Sequence, residues 1–288
     1  MDLQQMRYVL AVAEHGSFTR AAQRCFVVQS ALSHQIAVLE RELGLRLFAR
    51  SSRRVELTAA GQAFLPAARQ ALEAADRAAA QAAAAAGEVR GTVRIGIIPT
   101  VTAVDLPVLL RRFHEAHPQV AVSLRVARSD ETVADIRAGR LDVGILGLPA
   151  GQTPVGVSSR MLAQDRHVAV IASGHRLAGR KRVRLAELAE EPFADFPADS
   201  PGRAQTDLAF AEAGLVREVA YESTTADLIV GLVRQGLAVA LLPSALRREF
   251  SGLHILAVTG GPTRTEHLAW DGFNTSPAAA ALLELLEA

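Results

Sequence analysis

From Thr92 onward the chain alternates short apolar runs with amphipathic helical ones, and this alternation limits the possible fold more than any other feature. "TVRIGIIP", "VAVSLRV" and "LDVGILG" read as strands; "VDLPVLLRRFHEAHP" and "ETVADIRAG" between them carry apolar residues at helical spacing. Strands joined through helices predict a parallel sheet covered on both faces, because a parallel connection needs a long crossover. The pattern resumes with "HVAVIAS", "LAELAEEP", "PFADF", a helix at about 203–213, "EVAYES", a helix at about 225–235 and "LAVALLP". Strands "LHILAVT" and "RTEHLAW" and a helix from about Ala278 close the chain. The stretch is long enough for two such sheets. Two α/β lobes side by side leave a cleft at the carboxyl ends of their strands, where ligands usually sit.

The segment before Thr92 follows a different grammar. Leu3, Met6, Val9, Leu10 and Ala13 recur at helical spacing, and Gly16 ends that helix. Ser17 caps a second helix to about Cys25, with small Ala21 and Ala22 on it. A turn at Phe26-Val27-Val28 leads to a third helix from about Ser30 to Leu43, stopped by Gly44. "LRLFARSSRRVEL" predicts a β-hairpin. Thr58 then caps a long helix reaching Gly87, with Pro66 inside it and Phe64, Ala68, Ala71, Leu72 and Ala75 along one face. Such a face calls for a partner, either a copy of itself or another domain; the poly-Ala end can also serve as a bare spacer.

The third helix carries the chemistry. At about 100° per residue, Leu32, Ile36 and Leu39 form a buried stripe, with Leu43 further on. Ser30, Ser33, His34, Ala37 and Arg41 fall on the opposite face; Gln29 lies just before the helix and Gln35 at the edge of the stripe. A helix entering the DNA major groove needs short hydrogen-bonding side chains near its N-terminal end, since longer ones would hold it off the bases. The alternative is a helical dimerisation unit with a merely wet polar face. Such faces usually carry Glu and Lys, whereas this one starts uncharged. Arg50, Arg53 and Arg54 lie just downstream, where a hairpin wing would meet phosphates.

Charge distribution agrees. The whole chain of 288 residues is near neutral, at +1, but residues 1–58 hold eight Arg against five Asp or Glu. A basic head on a neutral body suits nucleic acid at one end and something else at the other. The single cysteine, Cys25, excludes an internal disulfide and a Cys-rich metal site. No apolar run is long enough to span a membrane and the start lacks a signal-peptide pattern, so a cytoplasmic protein without membrane contact is expected.

The run "MRYVLAVAEHGSFTRAAQRCFVVQSALSHQIAVLERELGLRLFARSSRRVELTAAGQAFL" resembles the winged helix-turn-helix of LysR-type transcriptional regulators, without a gap. "GRLDVGIL", "HRLAGRKRVRLAELAEEPF" and "GLAVALLP" resemble the effector-binding region of the same family in the same order. The resemblance implies a winged helix-turn-helix (1–58), a linker helix for dimerisation (59–87) and a two-lobed, periplasmic-binding-protein-like α/β effector domain (88–288). Lobe 1 would take about 92–160 and 266–288, and lobe 2 about 161–265. It implies a sequence-specific regulator that binds double-stranded operator DNA as a homodimer or homotetramer, meets RNA polymerase and answers a small-molecule effector, with no cofactor. DNA-facing positions would be Gln29, Ser30, Ser33, His34 and Gln35, with Arg50, Arg53 and Arg54 on the wing. The family more often has Arg at position 34. Effector contacts would be Thr100, Val101 and Thr102 after the first strand, Arg128 and Ser129 after the second, and Gly147 at the third. Phe196, Pro197, Thr224 and Thr225 would come from lobe 2. Hydroxyls and backbone N–H groups after strands suit an organic acid or other anion. Arg128 would favour one if turned inward.

Other signals point less far. Cys25 reads as core filler, since the cysteine pair of peroxide-sensing relatives is absent. His114-x-x-His117 has metal-ligand spacing but no third ligand near it. Trp270 and Phe273 read as core or lobe-packing residues, and Asp142 as orienting the turn before its strand. No G-x-S-x-G, Walker A or G-x-G-x-x-G pattern is present, so an enzyme is not expected. The rival is a free-standing solute-binding protein, which would require a secretion signal.

Overall fold

Asp2 caps the first helix, α1 (Leu3–His15), by accepting from Gln5 N while the Gln5 side chain reaches back to Asp2 N, and Gly16 closes it at φ 58°. Ser17 caps α2 (Phe18–Arg24). The turn after it passes through Phe26 at φ 55°, the one non-glycine residue at positive φ among the described residues. Helix α3 (Gln29–Leu43) begins one residue earlier than its pattern suggests, with Gln29 inside it; its cap, Val28, offers no side-chain oxygen. Strands β1 (Phe48–Arg50) and β2 (Val55–Leu57) pair antiparallel, and Thr58 caps α4 (Ala59–Ala85) through Gly61 N. The computed structural model describes residues 1–50 and 55–287, in two compact units, Met1–Glu88 and Val89–Ala288. No helix among the described residues is long and apolar enough to cross a membrane.

The first unit packs Val9, Val12, Ala21, Ala22, Leu32, Ile36 and Leu39 into one core, with partly buried Cys25 against it. Each fully buried large aliphatic side chain here contributes about 1.5–3 kcal/mol. The forward half of α4 finds its partner inside the unit: Ala68 and Leu72 pack on Met6 of α1, flanked by Leu10, Phe64 and Ala71. Gly61 lets the start of α4 press onto the hairpin, since a Cβ there would stand 2.1 Å from Leu47 O.

In the second unit the expected pair of separate parallel sheets is not what forms. Strands β3 (Gly91–Ile97), β4 (Val120–Val126) and β5 (Val143–Pro149) are parallel, joined through α5 (Leu106–Ala116) and α6 (Ser129–Arg137). Next to β5, however, lies β12 (Thr263–Trp270), antiparallel to it and to β6 (Ser158–Ile171). Strand β6 is 14 residues long and serves both lobes. Ser158–Arg166 pairs with β12 in lobe 1; from His167 on, the strand pairs with β10 (Ala240–Pro243) and β11 (His254–Thr259) in lobe 2. Two strands that cross between lobes and return must run against each other, which makes the sheet mixed and continuous.

Lobe 2 adds β7 (Arg182–Arg184), parallel to β11, the short α7 (Leu185–Leu188), and the parallel pair β8 (Phe193–Asp195) and β9 (Val219–Glu222). Helices α8 (Pro201–Glu212) and α9 (Ala226–Arg234) follow β8 and β9. The closing helix α10 (Pro277–Glu287) packs Ala278 and Leu282 against Val93, Ile95, Leu109 and Phe113 in lobe 1. Trp270 borders that core half-buried, whereas Phe273 is 94% exposed and packs no lobe. It sits in a turn closed by Asp271, which accepts from Phe273 N and Asn274 N, and so points outward.

One carboxylate ties α3 to the hairpin. Glu40 is 4% exposed and accepts from Leu47 N at 2.8 Å and Phe48 N at 3.2 Å, with Arg46 beside it at 3.4 Å. Glu40→Ala leaves two buried N–H groups without an acceptor and is expected to cost about 2–4 kcal/mol. A urea melt of the full chain measures this; a midpoint equal to wild type would show that Glu40 does not hold the hairpin.

Candidate functional site

The buried stripe of α3 leaves the opposite side outward. Leu32, Ile36 and Leu39 are fully buried, Gln29, Ser30, His34 and Arg41 are exposed, and Ser33, Gln35 and Ala37 are intermediate. Gln35 is held at the edge: its Oε1 accepts from Gln5 Nε2 at 3.2 Å. The outward face is polar, with Ala37 as its low point, and its helix is braced from behind by α1 and α2. Arg50 closes β1; Arg53 and Arg54 lie outside the described residues.

In the second unit a cavity of about 340 Å³ opens between the lobes at the carboxyl ends of the parallel strands. Thr100, Arg128, Ser129, Gly147, Phe196, Pro197 and Thr224 all line it. Val101, Thr102 and Thr225 do not. Val101 packs toward the lobe 1 core, Thr102 turns to Glu266, and Thr225 caps α9.

The lining residues have distinct tasks. Ser129 Oγ donates to Gly147 O and accepts from Gly147 N, both at 3.1 Å, which fastens the start of α6 to the end of β5. Ile98 packs closely on Gly147: a Cβ there would lie 2.8 Å from Ile98 Cδ1, so the Ile98 side chain would have to shift. Arg128 turns across the cleft mouth: Nη1 donates to Asp199 of lobe 2 at 2.7 Å, while Nε and Nη2 donate to Asp130 at 3.1 and 2.9 Å. The hydrogen bond to Asp130 dominates in raising Arg128's proton affinity further. Phe196 and Pro197 are held from behind by a buried network: Asp195 accepts from Arg217 at 2.7 Å and Thr206 at 2.9 Å, and Arg203 donates to Phe196 O at 3.2 Å.

Among the lining residues that were not expected, three are buried and polar. Arg264, 2% exposed, donates to Thr100 Oγ1 at 2.7 Å, Thr100 O at 2.8 Å and Glu266 Oε1 at 2.6 Å. His167 is 5% exposed; burial first, then the charge of Arg264, push its pKa down to about 4, so it is neutral at physiological pH. Gln205 reaches from α8 to within about 4.0 Å of where a Cβ on Gly147 would stand. A signal for the first existed: "RTEHLAW" places Arg, Glu and His in a strand that is buried along most of its length, where unpaired charge is costly. Gln205 gives no such signal, because a lone Gln in a helix is ordinarily solvated. His114 sits in the last turn of α5 and His117 caps it, their place explained by the helix dipole; no metal-binding cluster occurs among the described residues.

Comparison with known proteins gives both units the same relatives. The profile of the bacterial regulatory helix-turn-helix protein, lysR family, matches residues 3–62, and that of the LysR substrate binding domain matches residues 86–288. The chain is 38% identical to the HTH-type transcriptional regulator ShiR of Corynebacterium glutamicum over 244 residues, covering 84% of this chain and 82% of that protein. It is 34% identical to the HTH-type transcriptional regulator IlvR of Caulobacter vibrioides, over 99% of this chain and 97% of that one. Among solved structures, full-length CbnR in complex with its target DNA superimposes with a TM-score of 0.71 at 28% identity, covering 100% of this chain and 99% of that one. The outward polar helix, the hairpin behind it and the cleft between two lobes are thus the parts of one known architecture, and the chain belongs to the LysR family of DNA-binding transcriptional regulators.

Proposed function

We propose that α3 reads base edges in the major groove through Gln29, Ser30, Ser33, His34 and Gln35, while Arg50, Arg53 and Arg54 of the hairpin grip phosphates. The observation that carries this is the outward face of α3: short polar side chains set opposite three fully buried aliphatic ones. Short donors and acceptors reach bases without strain, and a helix anchored along its full back holds them in register. His34 donates to a base or a phosphate in either protonation state. Residues 1–58 thus form the DNA-binding domain, and 88–288 the effector domain, with 59–87 as the link.

The protein acts as a homo-oligomer, dimer or tetramer, so that two α3 helices engage two half-sites of an operator. Exposed apolar surface supports this. Edge strand β4 carries Val122, Leu124 and Val126 at 37%, 45% and 59% exposure, more than an edge strand facing water usually shows. RNA polymerase is the further partner, and the chromosome places the protein in the cytoplasm. A small molecule in the cleft changes the relation of the lobes, and through it the spacing of the α3 helices. This needs only a difference in its affinity for two arrangements, about 1–3 kcal/mol. The solute-binder reading leaves the polar face of α3 without a task.

Gel shifts with an operator and a scrambled duplex test the assignment. Ser33→Ala is expected to weaken operator binding by about 1–3 kcal/mol and scrambled binding little. Equal losses on both would remove Ser33 from base reading. Arg53→Ala is expected to weaken binding to both duplexes alike and to lower the salt slope by about one; an unchanged slope would take Arg53 off the phosphates.

A further inference from the structure

We propose that the cleft selects an uncharged, amphipathic effector whose head group both donates and accepts hydrogen bonds, and that Gln205 and His167 are the residues that read that head. The proposal rests on the reading of the cleft as the effector site and names the class of molecule it takes.

Charge comes first. Both cations at the cavity already have carboxylate partners. Arg264 is matched by Glu266 and two oxygens of Thr100; Arg128 holds Asp199 and Asp130. Glu131 lines the wall as a further carboxylate. The N-termini of α6 and α8 border the cavity, and their dipoles would welcome an anion. Fixed carboxylates already answer them: Asp130 and Glu131 stand in the first turn of α6, and Asp199 immediately precedes Ser200, the cap of α8. A carboxylate ligand at the floor would therefore meet no cation that lacks a carboxylate partner. A ligand ammonium at the floor would lie beside Arg264. Either desolvated charge costs several kcal/mol.

Hydrogen bonding comes second. Gln205, His167 and Arg264 line the cavity at 4%, 5% and 2% exposure, and each has a buried polar atom with no partner in the protein: Oε1, Nδ1 and Nε. Three residues of one cavity wall that each hold an unpartnered buried polar atom are unusual, since buried polar groups are ordinarily satisfied. A neutral imidazole offers one donor and one acceptor, and a glutamine amide offers both. Carboxylates only accept and ammonium groups only donate. A primary amide, alcohol or phenol does both, so it can complete this floor. Elsewhere the wall includes an apolar set, Ile98, Val126, Phe196, Pro197, Leu241 and Pro243, to cover a hydrocarbon body.

Gln205 is then a residue that weakens the empty protein and is used only when the cleft is filled. The test uses the purified full chain at neutral pH and four probes on one phenyl body: benzamide, benzyl alcohol, benzoate and benzylamine. Thermal shift and calorimetric titration are read for each. Benzamide or benzyl alcohol is expected to bind at least about tenfold more tightly than benzoate or benzylamine. Tighter binding of benzoate or benzylamine overturns the head-group assignment while leaving the cleft as the effector site. No binding by any probe at millimolar concentration overturns both; a sequence-selective gel shift by the same preparation shows that the DNA reading still stands. Gln205→Leu provides the second arm. It is expected to abolish benzamide binding and to leave the melting temperature of the empty protein unchanged or higher, because an unsatisfied oxygen is removed. Retained binding, or a lower melting temperature, shows Gln205 to be a framework residue and contradicts the proposal.

Discussion

Arg264 and Glu266 lie two residues apart on one face of β12, both almost fully buried, and they form the floor on which the cleft is built. Taking two charges out of water costs more than their attraction usually returns, so such a pair is a poor source of stability in itself. What it supplies is position. Glu266 accepts from Thr102 N, Ala103 N and the Thr102 hydroxyl, while Arg264 holds Thr100 by its hydroxyl and its carbonyl. The loop after β3 is thereby pinned to β12, the strand that lies between β5 and the two-lobe strand β6. The pair also cancels its own charge, so Arg264 brings no net charge to the cavity wall.

The helix-turn-helix unit obeys the same rule by a different route. A polar surface is useful only if it cannot turn away, and α3 is fixed at its back by Leu32, Ile36 and Leu39 and at its end by Glu40. Gln5 of α1, itself buried, holds Gln35 in place. Ser30, Ser33 and Ala37 on that face are short, so their positions are those of the backbone. In both units a buried charged or amide group fixes backbone geometry, and the surface it fixes is the one offered to a ligand.

Much of this was legible in the sequence, for identifiable reasons. The helices of the first unit announce themselves because Ser17, Thr58, Gly16 and Gly44 are local signals that tertiary contacts do not override. The strands after Thr92 are apolar runs bounded by turns, whereas the cleft residues Thr100, Arg128, Ser129, Gly147, Phe196, Pro197 and Thr224 were legible only through the resemblance to the family. Connectivity was harder. Nothing in "HVAVIAS" says that its strand begins nine residues earlier and crosses to the other lobe, since "SSRMLAQDR" lacks a continuous apolar run. The floor was harder still. Arg264, His167 and Gln205 come together from β12, β6 and α8, and only the fold makes them neighbours. The apolar face of α4 illustrates the reverse: its need for a partner was plain, while the partner, α1, lies more than fifty residues upstream.

If the balance of charge at the floor sets what the cleft admits, changing one charge must change the choice. Glu266→Gln keeps an acceptor for Thr102 and Ala103 but leaves Arg264 without its counter-ion, and titration of this variant with benzoate and benzamide measures the consequence. Benzoate is expected to gain affinity and overtake benzamide. A preference for benzamide that survives the substitution would contradict it.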